Sequence, residues 1–402
     1  MTADVRDIGA LDGVRVLDLT RVLSGPFCTM MLADQGAEVV KIEIPGRGDD
    51  ARHVGPPFQE GESAFFVSIN RNKKSLTLNL KREGGTGLLK RLAQHADVLV
   101  ENYRPGVATK LGIDYATLSQ VNPRLVYCSI SGFGQTGPYS SYPGYNFTVQ
   151  ALSGVMTVSG EPGSKPYPVG ISMGDIPAGM FAAYAISTAL FQRERTGKGT
   201  YIDIGMLDCL IAMMEFPLVR YGMTGACPPA IGKYNPSITP FGILDTADAS
   251  IAIAAGNDKL WVLLCEVLER PDLLDDPEYA TNPLRTENQS VLYAELTRTL
   301  KTKPASEWLR LLVGAGIPAG RVNTVAEVFH DPQVAARSMI QTVAQPGAGD
   351  ISIAGTPVKI GAGEPAAPRP APRLGEHAAE VLGDWLGLSV SEIDECRRDG
   401  VL

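Results

Sequence analysis

From residue 14 onward, short β-like runs alternate with helical stretches: VRVLDLT, PFCTMMLADQGA, EVVKIE, then after a loop KSLTLNL, LLKRLAQHA, DVLVENY, YATLSQV and RLVYCSIS. Apolar runs of strand length separated by helices require crossover connections, which are right-handed and build a mainly parallel sheet. The pattern predicts an α/β fold with a Rossmann-like, doubly wound core. A further strand, TYIDIGML, and a helix rich in Met and Leu, LDCLIAMMEFPLV, extend it.

Beyond about residue 225 the texture changes. CPPAIGKYNPSITPFG is turn-rich, FGILDT and SIAIAA suit a hairpin, and KLWVLLCEVL, SVLYAELTRTL and ASEWLRLLV read as helices. The stretch GAGEPAAPRPAPRLG has the composition of a linker or strap, and a helical segment follows it. The expected organisation is a large domain over residues 1–222, a smaller central α+β domain over 223–335, and a return over 336–402 that completes the large domain.

A chain of 402 residues, 44% of them hydrophobic, can bury a full core. Its net charge of -8 opposes general binding to nucleic acid or anionic membrane, so an anionic ligand needs a local basic patch. The start, MTADVRDIGALDG, lacks the pattern of a secretory signal, and no stretch has the length of a membrane span, so a cytoplasmic location is expected. The six cysteines and four histidines are scattered without metal-ligand spacing, which predicts reduced thiols and no metal site.

Three local features carry chemistry. The run SGFGQTG places Gly132, Gly134 and Gly137 in G-x-G-x-x-G order after a strand, yet Pro138 and YSSYPGY follow where a dinucleotide fingerprint would open a helix. NRNKKSLTLNLKR concentrates Arg71, Lys73, Lys74, Lys81 and Arg82, and together with Arg47 these residues suit a phosphorylated ligand at the sheet's carboxyl edge; the plainer reading is a solvated charged face. ISMGDIPAGMFAAYAI sets Asp175 at or beside the start of a helix whose apolar period runs through Met180, Phe181, Tyr184 and Phe191 and predicts burial. There the aspartate either caps the first turn or serves as a nucleophile.

These pieces, with LDGVRVLDLTRVLSGP, GAEVVKIE followed by PGRGDD, ADVLVENYRPG, LVYCSISGFGQTGP, TGKGTYIDIGMLD, AAGNDKLW, GIPAGRV and LGEH, resemble in order the class III CoA-transferases of CaiB/BaiF type. The resemblance implies that Asp175 attacks an acyl-CoA thioester, with coenzyme A entering as part of the substrate and no metal or redox cofactor. It implies further that Val22 and Leu23 border the thiol end, Leu78 and Lys81 the nucleotide, Asn102 and Tyr103 the pantetheine or adenine region, and Lys110 a phosphate. Ile44 stands where relatives often carry arginine, so Arg47 becomes the replacement phosphate ligand; Leu23 stands where some relatives carry glutamine. Gly256 and Asn257 fall in a loop that the family places near its active site.

A branch of the same family consists of 2-methylacyl-CoA racemases, whose proton transfer uses a histidine in the segment matching PGYNF. Tyr145 occupies that place, and tyrosine is a poor proton acceptor at neutral pH. Transfer is favoured over racemisation and over noncatalytic CoA binding. Within the transferases the likeness is greatest to enzymes that move CoA from succinyl-CoA to glutarate, itaconate or related dicarboxylates. A second substrate carboxylate needs a fixed cation, for which Arg21, Arg104 and Arg321 are candidates. The family also implies a homodimer of interlocked chains.

Overall fold

The computed structural model describes residues 9–361 and 367–402. The first residues read for a secretory signal, and part of the Pro/Ala/Gly-rich strap, lie outside the described residues. The chain divides into two compact units. The larger takes the chain up to Gly154, Val169–Glu215 and Gln333–Leu402; the smaller takes Val155–Pro168 and Phe216–Pro332. Val155–Pro168, which the sequence pattern left within the large domain, thus clusters with the smaller unit.

The larger unit is built on six strands: β1 (Arg15–Asp18), β2 (Glu38–Glu43), β3 (Lys74–Thr77), β4 (Val98–Glu101), β5 (Val126–Ser131) and β6 (Tyr201–Gly205). All neighbours are parallel, in the order β3-β2-β1-β4-β5-β6. This is the doubly wound order, and its direction reverses between β1 and β4, where ligands bind in open sheets of this kind. The inner strands are almost wholly buried because both faces are covered, while β6 at the edge stays partly exposed. Val16, Val98, Val100, Cys128 and Ile130 face one hydrophobic layer, while Leu17, Leu99 and Tyr127 face the other. Register follows this two-residue period, with Leu17 opposite both Val40 and Leu99.

Helix α1 (Ser24–Asp34) follows β1, α2 (Glu83–Ala93) follows β3, and α3 (Asn146–Ser153) leads toward the long α4 (Asp175–Thr196). The buried face of α4 differs from the one its large apolar residues predict. Ala178, Gly179, Ala182, Ala183 and Ile186 are buried, whereas Met180, Phe181, Tyr184 and Phe191 are exposed. Close packing on α1 is the reason: a Cβ on Gly179 would stand 2.6 Å from the Ser24 carbonyl oxygen. Only small side chains fit that seam, so the bulky ones project from the opposite side.

The C-terminal return completes the larger unit. The His377 amide donates to the Ser75 carbonyl at 3.0 Å, and α5 (Ala378–Leu386) supplies Val381, Leu382 and Trp385 to the layer over β3. In the smaller unit, Phe241–Asp245 and Ser250–Ala254 form the expected antiparallel hairpin, joined by Ala319–Arg321 on the other edge of the second strand. Helices carrying Trp261, Leu264, Tyr293, Leu296 and Trp308 close its core.

Candidate active site

The connection from β1 to α1 crosses the point where strand order reverses, and each of its first peptides is held by a different side chain. Buried Asp18 accepts from the Thr20 amide at 2.9 Å and the Thr20 hydroxyl at 2.5 Å, while Lys41 Nζ donates to the Thr20 carbonyl at 2.8 Å. Asn102, just beyond β4, accepts from the Arg21 amide at 2.8 Å and donates to the Arg21 carbonyl at 2.7 Å. Asp49 Oδ1 accepts from the Val22 amide at 3.0 Å, and Val22 itself sits at φ +67°.

Beneath this connection lies a buried charge network. Lys73 Nζ reaches Asp18 at 3.0 Å, Lys41 reaches Asp49 at 2.7 Å, and Glu43 takes Arg52 at 2.7 Å together with the Ser75 hydroxyl at 2.6 Å. Burial opposes the charge on Asp18, but Lys73 and Lys41 with two threonine hydroxyls more than offset it, so its carboxyl titrates well below the usual range. Burial wins at Lys73, which is pushed down to about 8 even with Asp18 beside it.

These pairs correct the sequence expectation for the basic run. Arg71 is buried against Asp34 at 2.5 Å, Lys73 against Asp18, and Lys74 bridges Glu38 at 2.6 Å and Glu380 at 2.7 Å. Those three cations hold the fold and are not open to a phosphate. Lys81, by contrast, lines a cavity.

A cavity of about 370 Å³ opens at the carboxyl edge of the sheet. It brings together Arg21, Val22, Leu23, Asn102, Tyr103, Arg104, Tyr145 and Asp175, along with Phe65, Ser131, Gly132 and Asn146. The Arg21 guanidinium lies over the Tyr103 ring at 5.7 Å and stands 3.6 Å from Asp50. Arg104 has no ion-pair partner among the described residues. A second cavity of about 490 Å³ is walled by Leu19, Ile42, Leu78, Leu80, Val107 and Leu111 and carries Ile44, Arg47 and Lys81. Arg21 and Tyr103 line both, so the two share a wall. Arg47 is paired with Asp50 at 2.7 Å.

Not every predicted residue joins these cavities. Lys110 is exposed on the short helix Val107–Leu111, whose Val107 and Leu111 face the second cavity while Lys110 does not line it. Arg321 belongs to the smaller unit and pairs with Glu327 at 3.0 Å. Gly256, also in the smaller unit, is exposed in the loop before the helix Asp258–Val267. Leu23 packs into an apolar cluster with Met30 and Ile69, consistent with the lack of a polar group there.

Asp175 is the first residue of α4, and Gly174 occupies the N-cap. The capping reading of its carboxylate is not realised: it makes no hydrogen bond to a first-turn amide among the described residues. The helix start is fixed instead from α3, whose Asn146 Oδ1 accepts from the Gly174 amide at 2.8 Å and from Gln150 Nε2 at 2.9 Å. Gly174 is required there, since a Cβ would come within 2.5 Å of a Val149 methyl carbon. Burial pushes the Asp175 carboxyl up to about 6, so it is still mostly ionised at neutral pH. A helix N-terminus favours that charge and offers amides to negative charge developing nearby. The site can thus present an unpaired carboxylate to an electrophilic acyl carbon.

The sequence reading missed Asp49, Phe65, Ser131, Asn146 and Gln150. Asn146 was within view, in PGYNF, but nothing local tied it to Gly174, 28 positions on. The glycine run behaves as turn chemistry: Gly134 and Gly137 have φ of +80° and +87°, and Gly132 approaches Gly144 so closely that a Cβ would stand 2.7 Å from its Cα.

Among the described residues no group of three or more His, Cys, Asp or Glu is arranged to hold a metal, and no helix is long and apolar enough to cross a membrane.

Comparison with known proteins converges. Residues 11–378 match the sequence model of CoA-transferase family III. The human succinyl-CoA:glutarate CoA-transferase is 38% identical over 400 residues, spanning 100% of this chain and 91% of that one. The acetyl-CoA:oxalate CoA-transferase of Acetobacter aceti is 42% identical over 386 residues, spanning 96% and 98%. Among solved structures, a CaiB/BaiF family protein from Brucella suis superposes with a TM-score of 0.83 at 38% identity, covering 94% of this chain and 100% of that one. The chain belongs to CoA-transferase family III and is a CoA-transferase.

Proposed function

We propose that the enzyme moves CoA from succinyl-CoA to a small dicarboxylate such as glutarate or itaconate, with Asp175 as the covalent nucleophile. The observation that carries this reading is the unpaired Asp175 carboxylate at a helix start, open to a cavity where the strand order reverses. Relatives named for glutarate, oxalate, D-citramalate and mesaconate transfer all act on dicarboxylates, which supports the acceptor class.

An Asp175 oxygen attacks the thioester carbonyl carbon, the C–S bond breaks, and CoA leaves as a thiolate while an acyl-aspartyl anhydride forms. The thiolate then attacks the aspartyl carbonyl, releasing the donor acid and leaving an aspartyl-CoA thioester. The acceptor carboxylate repeats both steps in reverse order and regenerates free Asp175. No proton, metal or redox equivalent is consumed, and the thioester bond energy is retained.

Val22 and Leu23 border the thiol end, Asn102 and Tyr103 the pantetheine, and Leu78, Lys81 and Arg47 the nucleotide and its phosphates; Lys110 contributes at longer range. Arg104 is favoured over Arg21 and Arg321 for the second carboxylate because it lines the Asp175 cavity without an ion-pair partner among the described residues. Tyr145 forms part of the acceptor site, and the Gly256 loop acts in the assembled enzyme. The exposed Met180, Phe181, Tyr184 and Phe191 support a homodimer, because so large an apolar face on one helix needs a partner.

The test is a mass-spectrometric screen of acids incubated with enzyme and succinyl-CoA. Acyl-CoA products from C4–C6 dicarboxylates are expected. Exchange restricted to monocarboxylates would contradict the substrate class, and exchange with no acid at all would contradict the reading.

A further inference from the structure

Among the described residues lining the Asp175 cavity, Val22 is the one non-glycine residue with a positive φ. A β-branched residue at φ +67° crowds its Cβ against its own carbonyl, a conformation usually left to glycine or asparagine. Such a conformation persists only where its surroundings over-determine it. Here the surroundings are specific. The Val22 side chain packs, like Phe27 and Phe65, against the buried cluster of Leu23, Met30 and Ile69, and its amide is turned to Asp49 Oδ1 at 3.0 Å.

Asp49 is itself held from every side. Its Oδ1 also accepts from the Ala51 amide at 2.9 Å, its Oδ2 meets Lys41 Nζ at 2.7 Å, and its own amide donates to Glu43 Oε2 at 2.9 Å. With its side chain fully enclosed, the carboxylate cannot swing to another partner. The connection from Thr20 to Val22 is therefore clamped peptide by peptide, by Asp18 and Lys41, then Asn102, then Asp49. Asp49 holds the one peptide that would otherwise relax, and Val22 forms a wall of the cavity that contains Asp175.

We propose that Asp49 is a positioning residue for CoA transfer: its buried carboxylate holds Val22 in the left-handed conformation and so fixes the cavity wall beside the reacting groups. The inference rests on the functional reading above only for its activity readout. Asp49 adjoins the second cavity, but its side chain is fully enclosed, so its carboxylate acts through Val22.

A double-mutant cycle separates this role from simple partnership with Lys41. Glycine adopts φ +67° unaided, so Val22→Gly makes the hold unnecessary. Asp49→Ala alone is expected to lower kcat/KM for succinyl-CoA about thirtyfold, with more of the loss in kcat than in KM because Val22 lines the cavity that contains Asp175. Val22→Gly alone costs about threefold, through lost packing. In the Val22→Gly background, Asp49→Ala costs no more than a further threefold. An equal loss in both backgrounds, or a loss below twofold for Asp49→Ala alone, overturns the proposal.

Should Asp49→Ala fail to fold alone but fold with Val22→Gly, that rescue supports it; failure in both backgrounds overturns it by placing the effect in the Lys41 pair. If the wild-type enzyme exchanges no CoA, the functional reading has failed. The cycle is then read by calorimetric binding of CoA, with the same coupling expected and the same additivity overturning.

Discussion

Asn102 and Arg21 are joined by two reciprocal hydrogen bonds, amide oxygen to backbone N–H at 2.8 Å and side-chain N–H to backbone carbonyl at 2.7 Å. The pair stitches the loop after β4 to the loop after β1 across the point where strand order reverses. Both polar ends of Asn102 are thereby used on protein, so in the proposed reading it serves CoA binding through the shape it imposes. Asn102→Ala should leave the Arg21 peptide half-satisfied, costing about 1–3 kcal/mol of stability. It should also raise KM for acyl-CoA more than it lowers kcat, measured by denaturant unfolding and steady-state kinetics.

The Asp175 carboxyl, pushed up to about 6 by burial, sets a pH dependence with a definite sign. Attack needs the ionised form, so the rate should fall about tenfold per unit as pH drops below about 6. Stability runs the other way. Because the folded-state value lies above the unfolded value of 3.8, the folded chain binds the extra proton, and this contribution is complete below the unfolded value and lost as pH rises through about 6. Asp175→Asn should therefore abolish exchange yet raise the thermal midpoint at pH 8, by an amount worth up to about 3 kcal/mol.

The Lys73–Asp18 pair has no exposure at either side chain. Lys73→Met strands a buried carboxylate that still has Lys41 nearby, and should cost about 3–5 kcal/mol. High salt should not mimic the effect, since ions do not reach the pair. Urea titration with and without added salt measures both statements.

At the seam of α1 and α4, Gly179→Ala places a methyl group 2.6 Å from the Ser24 carbonyl oxygen. The helices must separate, costing about 1–3 kcal/mol and tilting the helix that begins with Asp175. Calorimetry should show the lower midpoint, and exchange kinetics a loss in kcat. Gly174→Ala meets a Val149 methyl carbon instead and should act similarly, with a larger kinetic effect because it adjoins Asp175.

Tyr184 and Phe191 project from the outer side of α4, at 71% and 62% exposure. Replacing both with glutamate leaves the α1 seam untouched. If this face meets a second copy, the change should shift the enzyme toward monomer in sedimentation experiments while far-UV ellipticity is retained.

β1, β2, β4 and β5 were legible because their apolar residues are buried on both faces of the sheet; the hairpin of the smaller unit was legible from two short apolar runs, FGILDT and SIAIAA. The outer face of α4 was misread for a physical reason. Periodicity reports which residues share a face, but large apolar residues are the expected buried face only when the neighbouring backbone stands far enough away to admit them. Charge was misread in a similar way. Arg71, Lys73 and Lys74 look like an open patch in sequence because Asp34, Asp18, Glu38 and Glu380, which neutralise them, are 36 or more residues distant. Asp175 was found through the ordered resemblance. Asp49 escaped notice because nothing in PGRGDD reveals that one aspartate turns inward to Val22 while the next stays at the surface with Arg47.

The most direct test of the account is peptide mass spectrometry after acid quench of the enzyme mixed with succinyl-CoA in the absence of acceptor. A succinyl or CoA adduct localised to Asp175, converted to the Asp175 hydroxamate by hydroxylamine in one sample and discharged by glutarate in another, is the expected result. Continued CoA exchange by the Asp175→Ala variant, with no adduct at that position in the wild-type enzyme, would contradict it.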